Sequence, residues 1–288
     1  MKKATWWRFN SMPGWKCENP EHTKVYYILK KMKPTSKFDV IEVKNGKLQV
    51  VGNRRGGSEP STFTKQGGNY LLVNGGFFKM DNTFRSVGRT SVTNDRRRYV
   101  PIPQRYAQYY EKVTGEDGSY LSSGPSLKHR LNVQRPEFLW NTANSEITGS
   151  LAHASQPNER LVLVKTSTGD KFIFVYTAEN PRKSSTRGHP GNGQTVNEMR
   201  TLILLWLKHF RPGVKTSSII QFVNLDGGGS IYVSWNKGSR ERRIARGNIG
   251  DETPHGTIKD PESGRILDPR TVPSFIKLFT TTLETIEE

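Results

Sequence analysis

The chain has little cysteine and no long apolar run, and each absence excludes a class of protein. Cys17 is its single cysteine, so no intramolecular disulfide can form, and this composition fits a reducing compartment. No segment approaches the roughly 18 consecutive apolar residues that a membrane-spanning helix needs. Residues 1–22 also lack the apolar stretch of roughly 7 to 15 residues that a secretory signal contains. We therefore expect a soluble protein, cytoplasmic or phage-associated, while a secreted mature form stays open.

Acidic residues are scarce relative to basic ones. The chain has 26 Asp and Glu against 44 Lys and Arg, which gives a formal net charge of +18. A field of this sign attracts polyanions and speeds their association, so we expect an anionic partner. The basic residues are spread along the chain, without zinc-finger spacing, an RNP1-like segment or heptads under a basic region. Nucleotides, phosphoglycans, teichoic acids and anionic lipids stay open, as does non-specific nucleic-acid binding through the net charge.

Hydrophobic patterning predicts a fold dominated by β-sheet. Only 33% of the residues are hydrophobic, but 13 Phe, 10 Tyr and 6 Trp supply large side chains for a core. Runs rich in Val, Ile and Tyr are typical of strands, and they cover residues 23–32, 38–52, 69–78, 160–177, 217–226 and 230–235. Asn45-Gly46 predicts a hairpin with a type I′ turn inside the second run.

One segment predicts a long helix. Thr195 and Glu198 have the spacing of a capping box, an almost continuously apolar stretch runs to Phe210, and Pro212-Gly213 ends it. A helix this apolar is expected to be buried against the sheet. The expected fold class is therefore α/β (mixed α+β), with a sheet-dominated core and one long buried helix. We divide the chain into an N-terminal aromatic and basic extension, residues 1–23, and a main domain, residues 24–288.

Two apolar strands end in a polar residue followed by glycines. One is "VNLDGGGS", in which Asp226 precedes Gly227, Gly228, Gly229 and Ser230, and the other is "LLVNGGFF", in which Asn74 precedes Gly75 and Gly76. Glycines permit positive φ angles and uncover backbone N–H groups, which suits the close approach of a phosphate. Each segment can also be a tight turn with its polar residue bonded to backbone amides. We expect the two corners to meet and form an anion cradle with Asp226 at its edge.

The order of these motifs resembles the phosphodiester glycosidase family. The resemblance spans about residues 24–250 and includes "LLVNGGFF", "VGRTSV", "SSGPSL", "NERLVLVKTSTGDKFIFVYT", "GNGQTVNEMRTLILLWL", "VNLDGGGSIYV" and "RERRIARGNI". It implies a mixed α/β catalytic domain that hydrolyses the bond between a sugar's anomeric carbon and a phosphodiester. The chain departs from the family at Tyr176-Thr177, where the family commonly has Asp-Gly.

The resemblance also implies site residues. The family's strand-end Asn falls on Asn74, its Arg before the middle hairpin on Arg160, and its acid before the triple glycine on Asp226. The remaining matches fall on Ser230, on Glu198, on Arg242 or Arg243, and on the backbone of Ser123, Gly124 and Pro125.

Elementary chemistry gives these residues roles. Glycosidic cleavage passes through an oxocarbenium-like centre, so a carboxylate is needed to stabilise it or to activate water, and phosphate is a leaving group that needs little protonation. Asp226 is the candidate for the carboxylate, and Arg160 can clamp the phosphate while the glycine amides share its charge. Asn74 would hold a sugar hydroxyl or a phosphate oxygen. Glu198 is either the capping acid of the helix or a general acid.

The roles of several other polar and aromatic residues stay open. His189 is either an acid or base or a solvated loop side chain. Asp81 and Asp95 could bind a metal with Asp226, but they lack ligand spacing, so no metal and no cofactor are predicted. The aromatic and basic residues near the N-terminus could stack on sugars or bases, or pack on the sheet; they are Trp6, Trp7, Arg8, Trp15 and Lys16. Two other functions stay open beside the glycosidase: a non-catalytic polyanion-binding protein and a nucleotide phosphodiesterase.

Overall fold

The structure is a computed structural model. It describes residues 2–12, 23–52, 58, 60–64, 66–79, 85–88, 99–122, 124–138, 151–179, 191–247 and 272–287. The predictions for Trp15, Lys16, Cys17, Asp81, Asp95, Ser123 and His189 lie outside these residues.

The described residues form sixteen strands and four α-helices. The strands are β1 (Lys3–Asn10), β2 (Ser36–Val43), β3 (Leu48–Gly52), β4 (Asn69–Asn74), β5 (Phe78–Lys79), β6 (Arg85–Gly88), β7 (Tyr99–Pro101), β8 (Val113–Thr114), β9 (Tyr120–Leu121), β10 (Arg160–Thr166), β11 (Lys171–Ala178), β12 (Ile219–Asn224), β13 (Tyr232–Lys237), β14 (Arg240–Arg246), β15 (Ser274–Phe279) and β16 (Thr282–Glu287). The helices are α1 (Thr23–Leu29), α2 (Ser61–Thr64), α3 (Gln104–Ala107) and α4 (Val196–Phe210). Short 3₁₀ helices lie at Pro136–Phe138, Ala152–Ser155, Thr216–Ser218 and Gly228–Ser230.

Two sheets form most of the fold. The six-stranded sheet has the order β12-β10-β11-β2-β1-β16, and the five-stranded sheet has the order β14-β13-β4-β15-β3. One face of the six-stranded sheet packs on α4, and its other face shares an apolar cluster with the five-stranded sheet. Alternation along β10 explains this arrangement, because Val162 and Val164 belong to the helix side and Leu161 and Leu163 to the inter-sheet side. The mixed, sheet-dominated fold class is therefore confirmed.

The predicted helix begins with both bonds of its capping box. Thr195 Oγ1 accepts from the backbone N–H of Glu198 at 3.2 Å, and Glu198 Oε2 accepts from the backbone N–H of Thr195 at 2.7 Å. The helix is buried along one face, at Val196, Met199, Leu202, Ile203, Trp206 and Leu207. Its opposite face reaches solvent at Thr201 and Lys208, so it is half-buried rather than enclosed on all sides.

The hairpin predicted at Asn45-Gly46 is wrong. β2 lies in the six-stranded sheet and β3 in the five-stranded sheet, so this turn passes the chain from one sheet to the other. Asn45 has a φ of 54°, and a Cβ on Gly46 would meet the side chain of Val43 and the carbonyl of Phe279. The Asn-Gly pair therefore serves a tight crossing and not a two-strand hairpin. By contrast, β10 and β11 do form the predicted antiparallel hairpin.

Two N-terminal segments differ from their predicted roles. Residues 23–32 were predicted as a strand, but Val25 and Ile28 are buried three residues apart and lie on one face of α1. Lys3–Asn10, assigned to an extension, forms β1 between β2 and β16. Trp6 and Trp7 are 3% and 5% exposed, so they pack within the fold rather than stack on a ligand.

Candidate functional site

The triple glycine carries the chain from one sheet to the other. β12 ends at Asn224 in the six-stranded sheet, and β13 begins at Tyr232 in the five-stranded sheet. The other glycine corner, at the end of β4, lies against this crossing. The backbone N–H of Asp226 donates to the carbonyl of Gly75 at 3.0 Å, and Asn74 Nδ2 donates to the carbonyl of Asp226 at 2.9 Å. The prediction that the two corners meet is confirmed by these bonds.

The glycines allow backbone segments to approach closely. A Cβ on Gly227 would collide with the carbonyl of Glu159, and Gly228 has a φ of +57°, which a residue with a side chain rarely adopts. The N–H of Gly228 donates to the carbonyl of Glu159 at 3.3 Å. In the described part of the chain, the N–H groups of Gly227 and Gly229 have no acceptor. Within the described residues, two of the three amides in the predicted cradle are therefore not used by backbone acceptors.

Asp226 is the half-buried acid at this crossing. It lies between the buried Leu225 and the half-buried Gly227, so it is neither sealed inside the protein nor fully hydrated. Tyr110 is only 5% exposed and lies close enough to Asp226 to feel its charge. Burial mainly, and the negative charge of Asp226 in addition, raise the pKa of Tyr110 far above its ordinary value. Its phenol therefore stays protonated and can donate a hydrogen bond. The ring of Phe77, which follows the second glycine corner, packs edge-on against Tyr110 with centroids 6.3 Å apart.

Asn74 joins the two corners. It is fully buried, its Nδ2 also donates to the carbonyl of Gly75 at 3.3 Å, and its Oδ1 accepts from the backbone N–H of Tyr232 at 2.9 Å. These contacts make Asn74 a structural anchor that ties the crossing segment to the five-stranded sheet. The predicted contact of its amide with a substrate would require one of these bonds to break.

Arg160 makes bonds of the same kind. It is 3% exposed; its Nε donates to the carbonyl of Gln194 at 2.8 Å, and its Nη2 donates to the carbonyls of His153 and Gln156 at 2.8 and 2.7 Å. The guanidinium therefore fixes the segments that precede β10 and α4 to the sheet. A phosphate clamp at Arg160 would have to replace some of these carbonyls, so the structure favours a supporting role.

Glu198 belongs to the start of α4. Besides its capping bonds, its Oε1 lies 3.2 Å from Lys33 Nζ, and both side chains are about two-fifths exposed, at 42% and 41%. Partial burial raises the pKa of Glu198, but hydrogen bonds from Thr195 and the charge of Lys33 outweigh it and lower the pKa below its ordinary value. The carboxylate is thus ionised at neutral pH. This favours the capping role over the predicted general acid.

The remaining predicted residues lie at different distances from the crossing. Gly124 is buried against the backbone of Asn224, and its carbonyl accepts from the N–H of Glu111 at 2.9 Å. Gly76 and Ser230 are buried beside the two corners. Arg242 lies on β14, five residues before Gly247, which directly follows the strand, and five residues span about 16 Å along a strand. The structure therefore does not bring Arg242 to the acid.

Three residues near Asp226 were missed by the sequence analysis. Tyr110 lies three residues after the end of α3. Glu159 contributes mainly its backbone carbonyl, and its Oε1 accepts from the N–H of Ala178 at 3.2 Å. Asn224 is 1% exposed, and its Oδ1 has no hydrogen-bond partner in the part of the chain that the structure describes. No motif marks these residues, since only the crossing of the strands brings them to the acid.

Among the described residues, no group of three or more His, Cys, Asp or Glu is placed to hold a metal ion. None of their helices has the length and apolar character needed to cross a bilayer.

Comparisons with known proteins give distant structural similarity. No protein-family model matches the chain, and no curated protein matches it. Among solved structures, it is similar to the zebrafish N-acetylglucosamine-1-phosphodiester alpha-N-acetylglucosaminidase catalytic domain, auto-inhibited by its pro-peptide. The identity is 14% and the TM-score 0.46, over 85% of this chain and 78% of that one. It is also similar to a hypothetical protein from Synechocystis, at 13% identity and a TM-score of 0.40, over 85% of this chain and 60% of that one. Its function therefore has to be argued from its own residues.

Proposed function

We propose that the protein is a hydrolase that cleaves the glycosidic bond of a sugar-1-phosphodiester. The observation that carries this proposal is the junction of the two glycine corners, where the half-buried Asp226 lies beside two N–H groups without an acceptor among the described residues. The motifs that resemble the phosphodiester glycosidase family support the choice of substrate, and the net charge of +18 supports an anionic one.

The chemistry needs one carboxylate and one anion site. Asp226 either stabilises the positive charge that develops at the anomeric carbon or activates the attacking water, while the amides of Gly227 and Gly229 share the charge of the departing phosphate. Tyr110 is a protonated donor beside the acid, and Asn224 Oδ1 is an acceptor for a water or a sugar hydroxyl. No general acid is required of Glu198, because the leaving phosphate needs little protonation.

Hydrolysis of several sugar-1-phosphodiesters tests the proposal. Wild-type protein is incubated with UDP-sugars and with teichoic acid that contains sugar-1-phosphate links, and free reducing sugar and phosphate monoester are measured. We expect both products from at least one substrate. Asp226→Asn should lower kcat by about 10²- to 10⁴-fold, the usual effect of removing a positioned acid or base.

Asp170→Asn is the matched control. Asp170 is also half-buried, but it lies in the β10–β11 turn, at the opposite end of β10 from the crossing. The kcat of the Asp170→Asn variant should equal that of wild type. Nucleotide products with an intact glycosidic bond would identify a phosphodiesterase instead. Polyanion binding without any product would identify a binding protein, and either result would refute the proposal.

A further inference from the structure

Strand β14 concentrates positive charge at one edge of the five-stranded sheet. Its sequence RERRIAR contains four arginines and one glutamate, and residues 240–243 are exposed. Among the described residues, β14 is the outer strand of this sheet, and Arg8 Nη2 donates to its backbone at the carbonyl of Ile244, at 2.8 Å. Lys237, on the paired strand, lies opposite Arg240 and adds to this charge.

The guanidinium groups flank the edge on both faces. Arg242 pairs with Trp235 on the inter-sheet face, whereas Arg243 pairs with Ser234 on the outer face. Arg242 lies over the ring of Trp6 at 4.9 Å and donates to Thr285 Oγ1 at 3.3 Å. Arg243 lies over the ring of Tyr232 at 5.9 Å. Stacking on aromatic rings holds these guanidinium groups in place.

The strand leads into the candidate site. Directly after β14, the N–H of Gly247 donates to the carbonyl of Ile231 at 3.0 Å, and a Cβ on Gly247 would collide with the carbonyl of Gly228. A seven-residue strand spans about 23 Å. The arginines therefore form a basic path of that length that ends beside the triple glycine.

We propose that β14 is the docking track for a phosphate-rich polymer, which it guides to the crossing at Asp226. This inference rests on the proposed function and deepens it, because it makes the substrate a polymeric phosphodiester rather than a free nucleotide sugar. The whole chain attracts polyanions through its net charge of +18. Guanidinium groups held in place along one strand can in addition give a bound polymer a defined direction.

The test measures binding in the absence of turnover. Inorganic polyphosphate of graded length is titrated into Asp226→Asn protein, with orthophosphate as the shortest ligand. We expect affinity to rise with chain length until the polymer spans the strand. Replacing Arg240, Arg242 and Arg243 by Gln should weaken binding of the long chains by at least about tenfold. It should also reduce the slope of log Kd against log salt by about one per arginine that contacts a phosphate.

The control removes the same charge elsewhere. Lys24, Lys208 and Lys215 are exposed on the helix side of the six-stranded sheet, and their replacement by Gln should change the affinity less than threefold. Because Arg242 also packs on Trp6, the double variant Arg240→Gln/Arg243→Gln, which leaves Arg242 in place, is measured as well. It should show most of the loss of affinity that the triple variant shows.

Each remaining outcome decides one question. Equal losses in the arginine and lysine variants would mean that binding follows net charge alone, which overturns the track. Tighter binding of a single-stranded oligonucleotide than of polyphosphate with equal charge would also overturn it, in favour of a nucleic-acid surface. Polymer binding at β14 by a wild-type protein that hydrolyses none of the substrates would support the track while refuting the proposed hydrolase.

Discussion

Replacing Asn74 by alanine should destabilise the fold far more than its small side chain suggests. Asn74 is fully buried and ties the crossing segment to the five-stranded sheet through bonds to Asp226 and Tyr232. The substitution leaves the carbonyl of Asp226 and the N–H of Tyr232 without these partners. An orphaned buried polar group costs about 1–3 kcal/mol, so the loss from the two groups should be about 2–6 kcal/mol.

Asn236→Ala provides the comparison. Asn236 is equally buried on β13, but its Nδ2 makes a single bond, to Ser234 Oγ at 3.1 Å, and its Oδ1 has no partner among the described residues. The same volume is removed at both positions, so the difference between the variants isolates the hydrogen bonds. Urea denaturation should give a free energy of unfolding about 2 kcal/mol or more lower for Asn74→Ala, and a Tm lower by the order of 5–10 °C. Equal stability of the two variants would refute the idea that Asn74 anchors the crossing segment to the five-stranded sheet.

Three further substitutions follow from the same structure. Thr195→Ala removes the hydroxyl that caps α4 by accepting from the backbone N–H of Glu198. In urea denaturation, it should lower the free energy of unfolding by about 1 kcal/mol, and an unchanged free energy would contradict the capping box. Burial raises the pKa of Asp39 above its ordinary 3.8, despite its bonds to arginine and tryptophan. The folded state therefore binds this proton more tightly than the unfolded state does, and the stability that the group contributes is lost as pH rises. The stability of wild type relative to Asp39→Asn should therefore fall between about pH 3 and neutrality, and a rise would show that the sign is wrong. Gly247→Ala places a Cβ against a backbone carbonyl, and thermal unfolding should show a free energy of unfolding about 1–3 kcal/mol lower than that of wild type. Gly213 lies in open space, so the free energy of unfolding of Gly213→Ala should stay within about 0.5 kcal/mol of wild type.

Local patterns predicted the elements whose determinants lie close together in sequence. The capping box of α4 involves two residues three positions apart, and the β10–β11 hairpin is closed by a short turn. Both are decided by neighbours in the chain, so both were predictable. The Asn45-Gly46 turn failed because a positive φ suits a sheet-to-sheet crossing as well as a hairpin. Which of the two forms depends on partners far away in sequence.

The meeting of the two glycine corners was predictable from their shared pattern, but their detailed roles were not. Asn74 and Arg160 are polar residues near a site, and sequence alone favours contact with a ligand. The structure shows that their donors serve backbone carbonyls, because the crossing segment at Asp226 and the segment before α4 at Gln194 leave those carbonyls outside the strand ladders. Tyr110 carried no signal, since only the folded chain brings it to the acid.

The position of Asp226 distinguishes it from the other acids inside the fold. Asp39, Glu42 and Glu159 are all at most 2% exposed, and each accepts hydrogen bonds that hold it in place, from side chains for the first two and from a backbone N–H for Glu159. A carboxylate that acts on a substrate must be reachable, yet must lose enough water for its charge to act strongly over a short distance. The enclosed acids fail the first condition, and an acid on the open surface would fail the second. Asp226 meets both because it follows the last paired residue of β12, where the chain leaves one sheet and has not yet entered the other.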